Sequence, residues 1–238
     1  MESYQEESTE HFFTSFTDLL VGVIFLFMLL LMVFALNLKN QEPPRIITEE
    51  IRAALLRTIA QRMEQRGMPV TVDLGNGILR LPAALLFESG QWKLTEGGQQ
   101  VVGTLAQVLG EVLPCASTTG DTSKCGALNL NGMLDSVLIE GHTDNRPFTS
   151  SEGYGNWELS AFRAIDVYKT MIATTPSLEG MIRNRSNQPI VGVSAYADTR
   201  PTNTLALDPN RRIDVRFTMR SPDYKDTTSI TVPDAVAQ

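Results

Sequence analysis

Residues 136–172 read SVLIEGHTDNRPFTSSEGYGNWELSAFRAIDVYKTMI, and three patterns follow one another in them. Ser136 to Gly141 is a short apolar run that suits a strand, and residues 145–155 are rich in turn formers. Trp157 to Ile172 has the apolar spacing of a helix. A loop after a strand and the face of the following helix converge on one spot, which brings Asp144 and Arg163 within reach of one ligand. An anion facing a fork-shaped cation suits a zwitterion, the acid accepting an ammonium and the guanidinium a carboxylate. The same two residues could equally form a structural salt bridge.

Working outward, PVTVDL, GNG and ILRL (69–81) read as two short strands around a turn. That GxG has no third glycine and no helix behind it, so it is a hairpin and not a phosphate loop. Thr95 to Leu113 has helical spacing in Leu105, Val108, Leu109 and Val112, with Pro114 as its stop. Val191 to Ala197 is a further strand. Arg212 to Met219 alternates Ile213, Val215, Phe217 and Met219 inward with Asp214, Arg216 and Thr218 outward. Strands and helices alternate, which predicts an α/β or α+β domain over 68–220 with helices on one face of a mixed sheet. From Ser221 the chain is polar and aperiodic and reads as a flexible tail, 221–238.

Ahead of this domain, EEIRAALLRTIAQRMEQRG (49–67) places Ile51, Leu55, Ile59 and Met63 at spacings of four. It is an amphipathic helix whose apolar stripe serves either a dimer contact or its own domain. Pro43-Pro44 is expected to interrupt regular helix and form a short, stiff joint in the 39–67 linker. Further back, Leu19 to Leu38 is LLVGVIFLFMLLLMVFALNL, 20 residues without a charge, enough for a helix to cross a bilayer. A signal peptide would want a basic start and a shorter apolar stretch. Met1 to Asp18 holds no Lys or Arg, so a retained anchor is the expectation, with the span at 12–38 and a tail at 1–11.

The whole chain has 238 residues, 42% of them hydrophobic, and 20 basic against 27 acidic residues, a net charge of −7. No broad basic surface exists to neutralise phosphates, so nucleic acid is not an expected partner. HExxH, GxSxG and CxxC are absent, and His142 is the one histidine beyond the tail; neither an enzyme, a metal site nor a cofactor is expected. Asp18 lies at the start of the apolar run, where a carboxylate is either an interfacial cap or a functional ion-binding group. Orientation stays open on these residues alone. Lys39, Arg45, Arg52 and Arg57 follow the span and would hold the large domain in the cytoplasm. Cys115 and Cys125, the two cysteines, are spaced so that one disulfide could join them, which would favour an oxidising compartment; two free thiols are the other reading.

EGHTDN, NWELSAFRA and NRRIDVRF, in that order, resemble the peptidoglycan-binding domain of the OmpA and MotB families. FTSFTDLL resembles the aromatic-rich start of the span in stator B subunits, with Phe12 or Phe13 where a Trp is usual. The resemblance implies an α+β OmpA-like domain behind a single N-terminal transmembrane helix. It also implies a homodimer inside a pentamer of a MotA-like partner (ZorA in the Zorya complex), a 5:2 assembly driven by protons, with sodium not excluded. Asp18 would be the ion carrier. Asp144 and Arg163 would bind the diaminopimelate of peptidoglycan, with Thr143, Asn156, Leu159 and Ser160 shaping the site and Arg212 supporting it. Family topology places the N-terminus in the cytoplasm and the domain in the periplasm, anchored by one pass of the bacterial inner membrane, in agreement with a Cys115–Cys125 disulfide. The acidic start and the short route from Pro43-Pro44 to the domain resemble the B subunits of the Zorya anti-phage defence complex more than flagellar stators, which are the second candidate. A passive peptidoglycan tether is the third.

Overall fold

A computed structural model of the chain describes residues 3–39, 43–68, 70–119, 123, 125, 128, 130, 132–203, 206 and 208–220, with the side chains of 14–37 and of 48 onward. The expected tail 221–238 lies outside the described residues. Two units result, Met1–Pro44 and Arg45–Gln238.

The first unit is one helix, α1 (Ser3–Lys39). Its apolar stretch, Thr14–Asn37, is 24 residues with a mean hydropathy of 3.2, about 36 Å of helix against the roughly 30 Å of a bilayer core. Helix and apolar stretch do not start together. Residues 3–11, expected as a tail ahead of the span, are already helical, because hydropathy marks where lipid begins and not where backbone hydrogen bonding begins. Asp18 is the sole charge between Thr14 and Asn37 and stands four residues, about 6 Å, inside that stretch.

The second unit is built on a five-stranded sheet. Its strands are β1 (Thr71–Asp73), β2 (Ile78–Pro82), β3 (Leu134–His142), β4 (Val191–Ala195) and β5 (Arg212–Met219), in the order β1-β2-β5-β3-β4. All neighbours are antiparallel except β3 and β4, so the sheet is mixed. The hairpin forms where GNG predicts it. Asp73 accepts hydrogen bonds from the backbone and side-chain amides of Asn76 at 3.1 and 2.9 Å, and Gly77 adopts φ 70°, which glycine reaches without steric cost.

One hydrophobic core joins the inner face of the sheet (Leu79, Leu81, Val137, Ile139, Ile213, Val215, Phe217) to three long helices: α2 (Pro43–Gln65), α4 (Glu96–Val112) and α5 (Asn156–Thr174). A one-turn helix, α3 (Ala83–Leu86), closes one end. Ile51, Leu55, Ile59 and Met63 of α2 are fully buried, so its stripe serves its own domain. Pro43 and Pro44 do not interrupt α2 but open it. The first turn leaves its N–H groups without intrahelical acceptors, so prolines there forfeit no hydrogen bond. Thr95 caps α4 by accepting from Gly98 N at 3.0 Å. Cys115, in the 3-10 turn that follows α4, is joined to Cys125 by a disulfide.

The outer face departs from expectation at Asp214. Its alternation is as read, pointing away from the helices, yet the residue is fully buried, as is Glu140 beside it on β3. Arginine stems cover that face. Asp214 accepts from Arg80 Nε at 3.0 Å and Arg212 Nε at 2.8 Å, and Glu140 takes a two-pronged contact from Arg216 at 2.7 and 2.8 Å.

Candidate functional site

The site is made where β3 leaves the sheet. Gly141 lets α5 lie directly on β3, since a Cβ there would come within 2.0 Å of the Ser160 carbonyl oxygen. Thr143 N then donates to Ala197 O at 2.8 Å, and Asp144 turns the chain by accepting from Arg146 N at 3.1 Å. The loop returns to α5, whose first residue, Asn156, donates from Nδ2 to Arg146 O at 3.0 Å. Glu158 caps the helix start by accepting from Gly155 N at 2.8 Å. Two turns further along α5, Arg163 is 5% exposed; its Nε donates to Gln91 O at 2.8 Å and its guanidinium lies 5.0 Å from the centre of the Phe87 ring.

These segments enclose a cavity of about 280 Å³ lined by Thr143, Asp144, Asn156, Leu159 and Arg163 from the expected set, together with Ser89, Gly90, Arg146, Phe148 and Arg211. Asp144 and Arg163 therefore share one pocket. Asp144 does not pair with Arg163. Its carboxylate receives Arg146 Nε at 3.0 Å and Nη2 at 2.8 Å, with Arg211 Nε at 3.5 Å. Burial, and then the nearby Arg211, lower the Arg163 pKa to about 10, partly offset by Asp144. It stays charged at neutral pH, and an anion beside it would be stabilised. Thr143 Oγ1 is buried with no hydrogen-bond partner among the described residues. An orphaned hydroxyl on a pocket wall is suited to a polar ligand atom.

Two expected residues lie elsewhere. Ser160 is fully buried behind the pocket, where its hydroxyl donates to Trp157 O at 2.9 Å and accepts from Ala197 N at 3.2 Å, bracing the wall without lining it. Arg212 is on the opposite face of the sheet with Asp214, because it is the first residue of β5 and shares a face with 214 and 216. Its neighbour Arg211, just before the strand, reaches the pocket. The period of two in β5 carried that information. Ser89, Gly90 and Phe148 come from loops with no sequence signal for their convergence.

No family model matches the chain. It is 56% identical over 36 residues, 15% of its length, to Motility protein B of Escherichia coli K12, and 30% identical over 80 residues, 33% of its length, to Motility protein B of Bacillus subtilis. The chain is similar to Motility protein B. These alignments span 12% and 28% of the relatives' own lengths. Among solved structures, a MotB-like protein from Desulfovibrio vulgaris is similar over 73% of this chain and 99% of its own, at 18% identity and a TM-score of 0.49. The cell wall anchor of the T6SS from Pseudomonas aeruginosa matches over 69% and 96%, at 22% identity and a TM-score of 0.45. The periplasmic domain of Helicobacter pylori MotB matches over 64% and 82%, at 21% identity and a TM-score of 0.44.

A second polar cluster sits on the far side of the sheet from α5. His142 Nε2 lies 3.8 Å from Glu140 and 3.6 Å from Asp214, and its ring stacks on Tyr196 at 5.4 Å. The three donor groups are close enough together to hold a cation. Both carboxylates are already taken by Arg80, Arg212 and Arg216, so their negative charge is compensated within the protein, which disfavours a metal ion.

Proposed function

We propose that this chain is the B subunit of an ion-driven inner-membrane motor that holds peptidoglycan. The observation that carries the reading is the union of two features in one chain. The membrane-length apolar stretch Thr14–Asn37 of α1 contains a single carboxylate, Asp18, and a separate domain sets Asp144 and the buried Arg163 around one polar pocket. Similarity to Motility protein B supports it.

In this reading Asp18 binds a proton, or sodium, as a neutral species and releases it into a different environment. Two copies of the chain, one span each, stand inside a pentamer of a MotA-like partner in a 5:2 complex. Alternate loading of the two Asp18 carboxylates turns the ring, each charge contributing about 2.3 kcal/mol per 100 mV. The N-terminus is cytoplasmic and the wall-binding domain periplasmic, an orientation supported by the Cys115–Cys125 disulfide. The pocket grips diaminopimelate in the stem peptide, Asp144 taking its ammonium and Arg163 its carboxylate, so that torque is not lost to free rotation of the dimer.

The acidic start and the short link from Pro43-Pro44 to the domain favour the motor of the Zorya anti-phage defence complex. Similarity to Motility protein B favours a second reading, a flagellar-type stator. Phage plating on cells carrying the intact locus, parent against Asp18→Asn at equal membrane abundance, tests the first. Protection lost with Asp18→Asn is the expected result. Protection that survives the substitution leaves a passive tether, and no protection from the parent makes swimming the deciding assay.

A further inference from the structure

The charges around the pocket exceed what a simple zwitterion balances. Arg146, Arg163 and Arg211 line it against a single lining carboxylate, Asp144, and among the described residues the one other acid ion-paired with them is Asp208, exposed and bound to Arg211. Three guanidiniums thus face two carboxylates. An amino-acid end with one ammonium and one carboxylate adds no net charge and would leave that surplus in a partly desolvated site.

The geometry also puts one arginine in the ligand's place. Arg146 donates two side-chain hydrogen bonds to Asp144 Oδ2, the oxygen that Arg211 also approaches. An ammonium arriving at Asp144 must compete with that contact. Arg146 is the group that can yield: its side chain is 58% exposed, while Arg211 is also tied to Asp208. Released, the Arg146 guanidinium stands at the pocket rim, where it is free to take an anion.

We infer that Arg146 and Arg211 form a second anion subsite, so that the pocket selects a stem peptide carrying a second free carboxylate beyond the zwitterionic end, the chain-terminal carboxylate of the same diaminopimelate residue. Arg146 acts as an internal occupant of Asp144 that is exchanged for the ligand's ammonium and then binds that second carboxylate. This rests on the peptidoglycan reading and names the chemical form of peptide it takes.

The test is calorimetric titration of the full chain in nanodiscs with L-Ala-γ-D-Glu-meso-diaminopimelate in three forms: free, amidated on the D-centre carboxylate, and amidated on the chain-terminal carboxylate. The terminal amide is expected to bind about tenfold more weakly than the free peptide, and Arg146→Ala or Arg211→Ala to bring that ratio close to one. Equal binding of the free peptide and the terminal amide overturns the inference, as does discrimination that persists in both variants. Failure of the peptidoglycan reading looks different: the D-centre amide then binds as well as the free peptide in every protein.

Discussion

Arg163 spends its Nε on the carbonyl of Gln91, at 2.8 Å, and that single bond aims the rest of its guanidinium into the pocket that Asp144 also lines. The residue is pinned by a backbone group and by the Phe87 ring, not by an acid, so its charge stays available to a ligand. A lysine keeps the charge but has neither the fork nor the Nε donor. Arg163→Lys and Arg163→Ala are both expected to reduce peptidoglycan pull-down by the full chain at least tenfold. Retention of parental binding by Arg163→Ala would remove Arg163 from the site.

What the sequence made legible was whatever depends on local pattern. The strand, loop and helix of 136–172 are close to their expected bounds, and β5 matches Arg212–Met219. Patterns fail where tertiary partners decide. Asp214 alternates outward yet is buried, because arginines from β2 and β5 close over it. Arg211 and Arg212 are indistinguishable as a dipeptide but lie on opposite sides of a sheet. Arg146 was invisible as a site residue, since a loop arginine two positions from an aspartate gives no hint of which way it folds.

Close packing of α5 on β3 predicts a large effect from one methyl group. Gly141→Ala would drive a Cβ to 2.0 Å from Ser160 O, and neither atom can swing aside, because the Cβ direction is fixed by the β3 backbone and the oxygen belongs to the α5 backbone. A destabilisation of about 3 kcal/mol is expected, at the upper end for overpacking, or roughly 6–12 °C in Tm for a domain of this size. Thermal unfolding followed by circular dichroism checks it; a shift under 2 °C would mean that α5 can move away without loss.

Acid should unfold the domain through Glu140. Burial raises its pKa, but the approach of His142 and the two-pronged Arg216 contact hold it down to about 2 against a usual 4.5. A depressed carboxylate contributes its stability in full above the unfolded-state pKa and loses it as pH falls through the folded one. The loss therefore runs from about pH 4.5 to about pH 2, and amounts to on the order of 3 kcal/mol. Glu140→Gln should lower stability by a similar amount at pH 7 and flatten that acid limb. Parallel pH profiles for parent and variant, from urea unfolding between pH 2 and 7, would rule the pair out as the source.

Asp18 and the pocket lined by Asp144 and Arg163 belong to separate units, so their substitutions should separate two phenotypes. Asp18→Asn removes the titratable proton while keeping size and polarity, and is expected to abolish motor output at unchanged membrane abundance and unchanged peptidoglycan pull-down. Asp18→Glu keeps the carboxyl but moves it by one methylene along the same side chain. Because ion transfer depends on placement within a few tenths of an ångström, partial output is expected from Glu, ordered parent, then Glu, then Asn. Arg163→Ala gives the converse result, with wall binding lost while proton flux measured in vesicles persists. Output from Asp18→Asn equal to the parent would show that the carboxylate inside Thr14–Asn37 is an interfacial group and that the chain is a tether.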